Sequence, residues 1–271
     1  MKNAMRKISG LFSVLLLLTM QPAGAQDVEL MPPPPLDPAQ VRGVMEKAVN
    51  GFIRPGYDRF RQSAEKLEGS MKALCAAPSK TADEAAKAAF ADTVSSWSTI
   101  EIVRVGPVIE HNRFERVLYY PDKKGLGLKQ VQRYLAEKDE SVTSADSLKG
   151  KSVAAQGLGA LEFVLYGTDA DELLDKKGDF RCRYGAAIAG NVANLAAELS
   201  DSWNAPDGAQ KNWTQPGADN PVFRDEREAL VALLGILVHG SEAIRDQRIE
   251  TFYKGRTRRN FPARPFTGGP A

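Results

Sequence analysis

The stretch Tyr57-Asp58-Arg59-Phe60-Arg61-Gln62-Ser63-Ala64-Glu65-Lys66-Leu67-Glu68-Gly69-Ser70-Met71-Lys72-Ala73-Leu74-Cys75 decides the class of this fold. Its apolar side chains fall at Tyr57, Phe60, Ala64, Leu67, Met71 and Leu74, spaced by three and four, with charged residues between them. That spacing lays one apolar stripe along an α-helix, whereas a strand would need strict alternation.

The same period extends outward. Asp37 followed by Pro38 reads as an N-cap with proline in the first turn, and Val41, Val44, Met45, Ala48 and Phe52 continue a helix. Arg54-Pro55-Gly56 is expected to break or kink it, because proline lacks the N–H that a helix interior uses. Downstream, Thr81-Ala82-Asp83-Glu84 has capping-box spacing ahead of Phe90, Val94 and Trp97. Gly106-Pro107 interrupts that run, Phe114, Val117 and Leu118 resume helical spacing, and Pro121-Asp122 stops it. Gly125-Leu126-Gly127 is read as a loop before Leu128, Val131, Tyr134 and Leu135.

The second half repeats the pattern. A helix is expected from about Val153 to Tyr166 with Gly167 at its end, another from Phe180 to about Trp203, and a long one opened by Pro221. No segment sustains strand alternation. The expected class is all-α, arranged as two antiparallel helical-bundle lobes over about residues 37–143 and 144–255.

The ends carry other signals. Residues 1–25 combine a basic start (Lys2, Arg6, Lys7), an apolar run from Leu11 to Met20 and Ala23-Gly24-Ala25, which is the form of a cleaved secretory signal peptide. Its apolar run is too short to span a bilayer, which takes about 20 residues. Residues 26–36 form a proline-rich linker around Met31-Pro32-Pro33-Pro34-Pro35, and residues 256–271 read as a C-terminal tail. The expected location is therefore the periplasm, with no membrane-spanning segment after the leader. The chain has 36 basic and 34 acidic residues, and the leader takes three basic residues and no acidic one, so the exported part is near neutral. No basic run occurs before Lys254-Gly255-Arg256-Thr257-Arg258-Arg259, which argues against nucleic acid as a partner.

Two cysteines, Cys75 and Cys182, are consistent with one disulfide in an oxidising compartment, or with two buried thiols. The chain has two histidines, and no H-E-x-x-H, G-x-S-x-G, Walker loop or dinucleotide fingerprint. His239 and Glu242, at i and i+3, share a helix face at a spacing that can hold iron or another divalent metal. Trp97, Trp203 and Trp213 are too scattered along the chain for a ligand box, and at least the first two fit helix cores. Within Gly157-Leu158-Gly159-Ala160-Leu161-Glu162-Phe163-Val164-Leu165-Tyr166-Gly167, a single carboxylate, Glu162, stands in an apolar helix where burial is expected. A buried carboxylate needs a partner, so Glu162 reads either as an arginine's ion-pair partner or as part of a site.

Several motifs together resemble the imelysin-like family of exported bacterial proteins. Arg116-Val117-Leu118-Tyr119-Tyr120-Pro121-Asp122 and Gly125-Leu126-Gly127-Leu128-Lys129-Gln130-Val131 are similar to that family's arginine-bearing helix, its W/Y-P-D stop and its G-x-G-L-[RK]-Q-V segment. Cys75 and Arg181-Cys182-Arg183-Tyr184 are similar to its paired cysteine positions, and Gly240 to Arg248 resembles its late G-x-E-x-x-R-D-x-R helix. The family signature G-x-H-x-x-E falls on Gly157, Gly159 and Glu162, so the glycine and the glutamate are kept and Gly159 stands where the histidine would be.

The resemblance implies a two-lobed helical protein linked to iron acquisition, with a Cys75–Cys182 disulfide. With the histidine gone, Glu162 would need His239 and Glu242 from another helix to complete an iron site. The expected function is a non-catalytic periplasmic protein that binds a metal, a metal chelate or an envelope iron-uptake partner. A metallopeptidase using Glu162 as base and a structural envelope adaptor are the alternatives.

Overall fold

The computed structural model describes residues 35–175 and 179–250. The expected leader, most of the expected proline-rich linker and the expected C-terminal tail lie outside them. Among the described residues there is no β-strand, so the all-α expectation holds.

The first helix, α1 (Pro38–Ala48), starts where the Asp37 side chain accepts from the Ala39 N–H. It does not break at Pro55. A π-helical turn over Val49–Ile53 carries it into α2 (Arg54–Ala76), with the Arg54 N–H donating to the Val49 carbonyl. The widened turn, together with Pro55 placed in the first turn of α2, accommodates the missing N–H that was expected to stop the helix. Tyr57, Phe60, Ala64, Leu67, Met71 and Leu74 are all buried, as the quoted stripe requires.

The next helix, α3 (Lys80–Ile100), is capped by Ser79, whose hydroxyl accepts from the Ala82 N–H, and not by Thr81. The segment Gly106–Asn112 is a 3-10 stretch that ends with His111 and Asn112 in left-handed backbone, so only α4 (Arg113–Val117) is α-helical before Tyr120. Helix α5 (Leu126–Glu137) includes the Leu126-Gly127 pair read as loop, because the Asp122 carboxylate accepts from the Leu126 and Gly127 N–H groups and caps the first turn. Short α6 (Ala145–Leu148) and a 3-10 turn at Val153–Ala155 lead into α7 (Leu158–Tyr166).

Helix α8 (Asp179–Asn204) is the central rod. It packs along α2 and carries α7 on another side, and α2 in turn packs along α3. The α2–α8 contact therefore crosses the boundary near residue 143. Cys75, at the end of α2, is bonded to Cys182, at the start of α8, with Cα atoms 5.5 Å apart. The scattered tryptophans meet in this core: Trp203 lies 6.1 Å from Tyr57 and 6.0 Å from Trp213, and Trp97 lies 5.1 Å from Phe60. Polar links fix the helix register. The Asp58 carboxylate accepts from Ser200 and Asn204, and Thr93 donates to the Ala89 and Ser63 carbonyls.

After α9 (Ala209–Thr214), the last long helix is α10 (Glu226–Ala243). It begins five residues later than Pro221 suggests, because the Asp225 side chain accepts from the Glu228 N–H while the Glu228 carboxylate accepts from the Arg224 N–H. It packs on α1 and continues into a second π-helical segment, Ile244–Ile249.

Candidate functional site

The G-x-x-x-x-E segment of α7 is built into the core. Leu158, Ala160, Leu161, Val164 and Leu165 are buried against neighbouring helices, and α7 packs on α5 and α8. Gly157 sits against the backbone of α4: a Cβ there would lie 2.5 Å from the Val117 carbonyl oxygen and collide with that of Arg116. That approach is held by polar contacts on either side. Arg116 donates to the side chains of Gln156 (3.0 Å) and Asn191 (3.2 Å), and Asn191 donates to the Gln156 carbonyl. Gln156 and Asn191 are fully buried, and burial lowers the pKa of the Arg116 guanidinium. Gly157 is thus a packing residue.

Two residues on, the surroundings change. Gly159 is exposed, and a Cβ there would meet no atom within 4 Å. Glu162, one turn further, is half-buried and not sunk in the core as the apolar run suggested. The Tyr166 phenol beside it is raised by burial first, then by the charges of Asp83 and Glu162.

A cavity of about 350 Å³ lies elsewhere, between the end of α3, the α4 region and the junction of α10 with its π-helical extension. Three features of the chain build it. Gly240 lets α10 close on α3: a Cβ there would lie 2.7 Å from Ile102 Cδ1 and closer still to Cγ1. The π-turn, in which the Glu250 N–H reaches back to the Arg245 carbonyl, is accompanied by half-buried Gln247 and Arg248 between exposed neighbours. Ile102, Phe114 and Leu118 supply an apolar wall.

Charge is concentrated on the remaining side. One Arg248 nitrogen donates to both carboxylate oxygens of Glu101, at 2.8 and 2.9 Å, while its guanidinium lies 4.3 Å from the Tyr120 ring centre. Burial raises the Glu101 carboxyl above its usual pKa, outweighing the opposing pull of Arg248, Arg104 and the Trp97 indole. Arg104 pairs with Glu115 and stacks 4.1 Å from Phe114. The Tyr120 hydroxyl is buried with no hydrogen-bond partner among the described residues. At the mouth, His239 Nδ1 and Glu242 Oε2 are 3.1 Å apart, with His239 80% exposed. Asp246 is bonded by its neighbour Arg245.

His239 and Glu242 are therefore brought together as the i, i+3 spacing foretold. Glu162 is not brought to them: it does not line this cavity, since α7 belongs to the α5–α8 packing and α10 to the α1 side. Among the described residues no group of three or more His, Cys, Asp or Glu side chains is arranged to hold a metal ion, so the expected Glu162–His239–Glu242 convergence is not formed. Tyr120 and Arg248 stood in the sequence only as members of the family-like motifs, with no role in a site, and Glu101 was not singled out. Glu101 and Arg248 stand 147 positions apart, and nothing local to either residue points to the other.

The described residues thus form an all-helical domain with an apolar-walled cavity that bears paired charges at its rim. A family model described as imelysin, and labelled a peptidase family, matches residues 53–265, and the chain belongs to that imelysin family. The fold is similar to the crystal structure of an imelysin-like protein from Psychrobacter arcticum 273-4, with a TM-score of 0.67 and 19% identity. The match covers 80% of this chain and 64% of that one, so this chain spans less than two thirds of its length. No curated protein sequence matches the chain.

Proposed function

We propose that this protein is a non-catalytic, periplasmic member of the imelysin family that works in or near bacterial iron acquisition by holding a small metal chelate in the cavity beside α10. The observation that carries this reading is the His239–Glu242 pair at the mouth of a cavity whose inner wall holds Arg248, Glu101 and Tyr120. An imidazole and a carboxylate offer two donors to iron or another divalent metal, and a chelator would supply the rest. Arg248 and Arg104 complement an anionic chelator, and Ile102, Phe114 and Leu118 accept its carbon skeleton. A hydrolytic zinc site takes three protein ligands, and a chain with two histidines, one of them His239, is poorly equipped to supply them. The leader-like residues 1–25 support export.

Titration calorimetry on the purified exported chain tests this with ferric ion, zinc ion, ferric citrate and citrate alone. Ferric citrate is expected to bind, and His239→Ala or Arg248→Ala to weaken it at least about tenfold, the scale of one lost charge-assisted contact. Glu162→Gln is expected to leave it unchanged. Absence of binding by all four probes, or loss of binding in Glu162→Gln with none in His239→Ala, overturns the reading.

A further inference from the structure

Helix α10 has two apolar faces, and its core uses only one. Ala229 and Ile236 are buried, and Leu230, Leu233, Gly240 and Ala243 are half-buried on or beside the same side. On the opposite side Val231 is 62% exposed, Leu234 50% and Val238 55%. Arg227, Val231, Leu234, Val238 and Glu242 follow spacings of four, three, four and four, which places them in one outward line at about 100° per residue. That line has the three-and-four spacing of a coiled-coil seam, and no helix among the described residues covers it.

We propose that this seam pairs with the same seam of a second copy of the chain, α10 against α10, antiparallel about a two-fold axis between Leu234 and Gly235. The seam is complementary to itself in that register and in no neighbouring one. Val231 of each copy faces Val238 of the other. Leu234 faces Gly235, where the space in front of the missing Cβ is open, the nearest atom being His239 of the same helix at 3.9 Å. At each end Arg227, which makes no ion pair among the described residues, faces Glu242 of the other copy, so the two ends of the pair are closed by opposite charges. A register shifted by one helical turn sets Arg227 against Val238 and leaves both charges unmatched. A closed two-fold contact of this kind uses the same patch twice, as symmetric dimers do. The apolar line explains why α10 keeps valine and leucine where a solvent-facing helix would carry polar residues.

Sedimentation velocity on the full exported chain, over a dilution series, is the test. The wild type is expected to move between monomer and dimer. Leu234→Arg, at an exposed position outside the cavity lining, is expected to abolish the dimer while circular dichroism and thermal melting stay native. Arg227→Glu and Glu242→Arg are each expected to raise the dimer dissociation constant at least about tenfold, about 1.4 kcal/mol, and the double reversal to restore it. A wild type that is monomeric at every concentration overturns the proposal, as does a dimer indifferent to Leu234→Arg. A dimer broken by Leu234→Arg but not rescued by the double reversal overturns the antiparallel register. Chelate binding by a Leu234→Arg monomer would leave the cavity reading intact, so the two proposals fail separately.

Discussion

Helices α7 and α10 carry the same short spacing with opposite fillings. On α7 the i, i+3 pair is Gly159 and Glu162; on α10 the same spacing holds His239 and Glu242. Their surroundings differ as much. Five of the nine residues of α7 are buried, its first glycine touches the backbone of α4, and the α8 helix beneath it is bonded to α2 by Cys75–Cys182. Only two of the eighteen residues of α10 are buried, and its imidazole stands in solvent at a cavity mouth. The α7 segment is held by packing, whereas the His239–Glu242 pair proposed to hold a ligand lies on the helix that packing constrains least.

The sharpest way to break this contrast is at Gly157. Gly157→Ala places a methyl group into the Arg116 and Val117 carbonyls, which are backbone atoms and cannot rotate away. Overpacking of this kind costs about 2–3 kcal/mol. Urea unfolding is expected to show the midpoint falling with little change in slope, and chelate binding by the folded fraction is expected to persist. A variant as stable as wild type would mean that the α4–α7 contact is not the reason for this glycine.

How far the chain itself discloses this arrangement depends on the range of the interaction. The buried stripe from Tyr57 to Leu74 follows from local periodicity, and the Cys75–Cys182 bond was one of two readings that the cysteine count allowed. The His239–Glu242 contact was legible because both residues sit on one helical turn. Pro55 misled because a π-turn can absorb a proline, and nothing in residues 53–56 distinguishes that outcome from a break. Glu162 misled for a related reason: helical periodicity says that a residue lies on an apolar helix, but not how far the neighbouring elements extend over it. The Glu101–Arg248 pair was beyond reach, since it forms only once α10 has crossed the end of α3, and that crossing is decided by the bare Cα of Gly240 against Ile102.

A smaller effect probes the cavity side. Arg248→Ala removes the cation that faces Glu101 and leaves that carboxylate in a partly desolvated place. The expected cost is about 1–2 kcal/mol near neutral pH, reduced from a fully buried case because both side chains remain partly open to solvent. The sign of its pH dependence follows from Glu101, whose folded pKa is raised by burial. In the window between the unfolded and folded values the native state binds more protons, so stability falls as pH rises through that window. Without Arg248 the folded value rises further, and the gap between variant and wild type is expected to widen on going from acid to neutral pH. Denaturant melts of both proteins at acidic and neutral pH measure this, and a gap that narrows toward neutrality would show that Arg248 does not serve Glu101.

The smallest expected change is at Gly159, and it has the opposite sign to Gly157. A side chain there meets nothing within 4 Å, so Gly159→Ala removes a flexible glycine from the first turn of α7 without a clash, stabilising the fold by about 0.5 kcal/mol. Gly159→His goes further and copies onto α7 the spacing that α10 already has, with Glu162 one turn away. An imidazole near a helix N-terminus is kept from protonating by the helix dipole, which lessens competition between protons and metal. In a His239→Ala background, Gly159→His is expected to gain zinc affinity by calorimetry, and Glu162→Gln to remove the gain. If the stabilised Gly159→Ala protein and the Gly159→His protein bind zinc equally weakly, then Glu162 is not oriented to share a metal with position 159. The half-buried carboxylate of α7 would then be a structural residue, and α10 alone would carry the ligand chemistry of this chain.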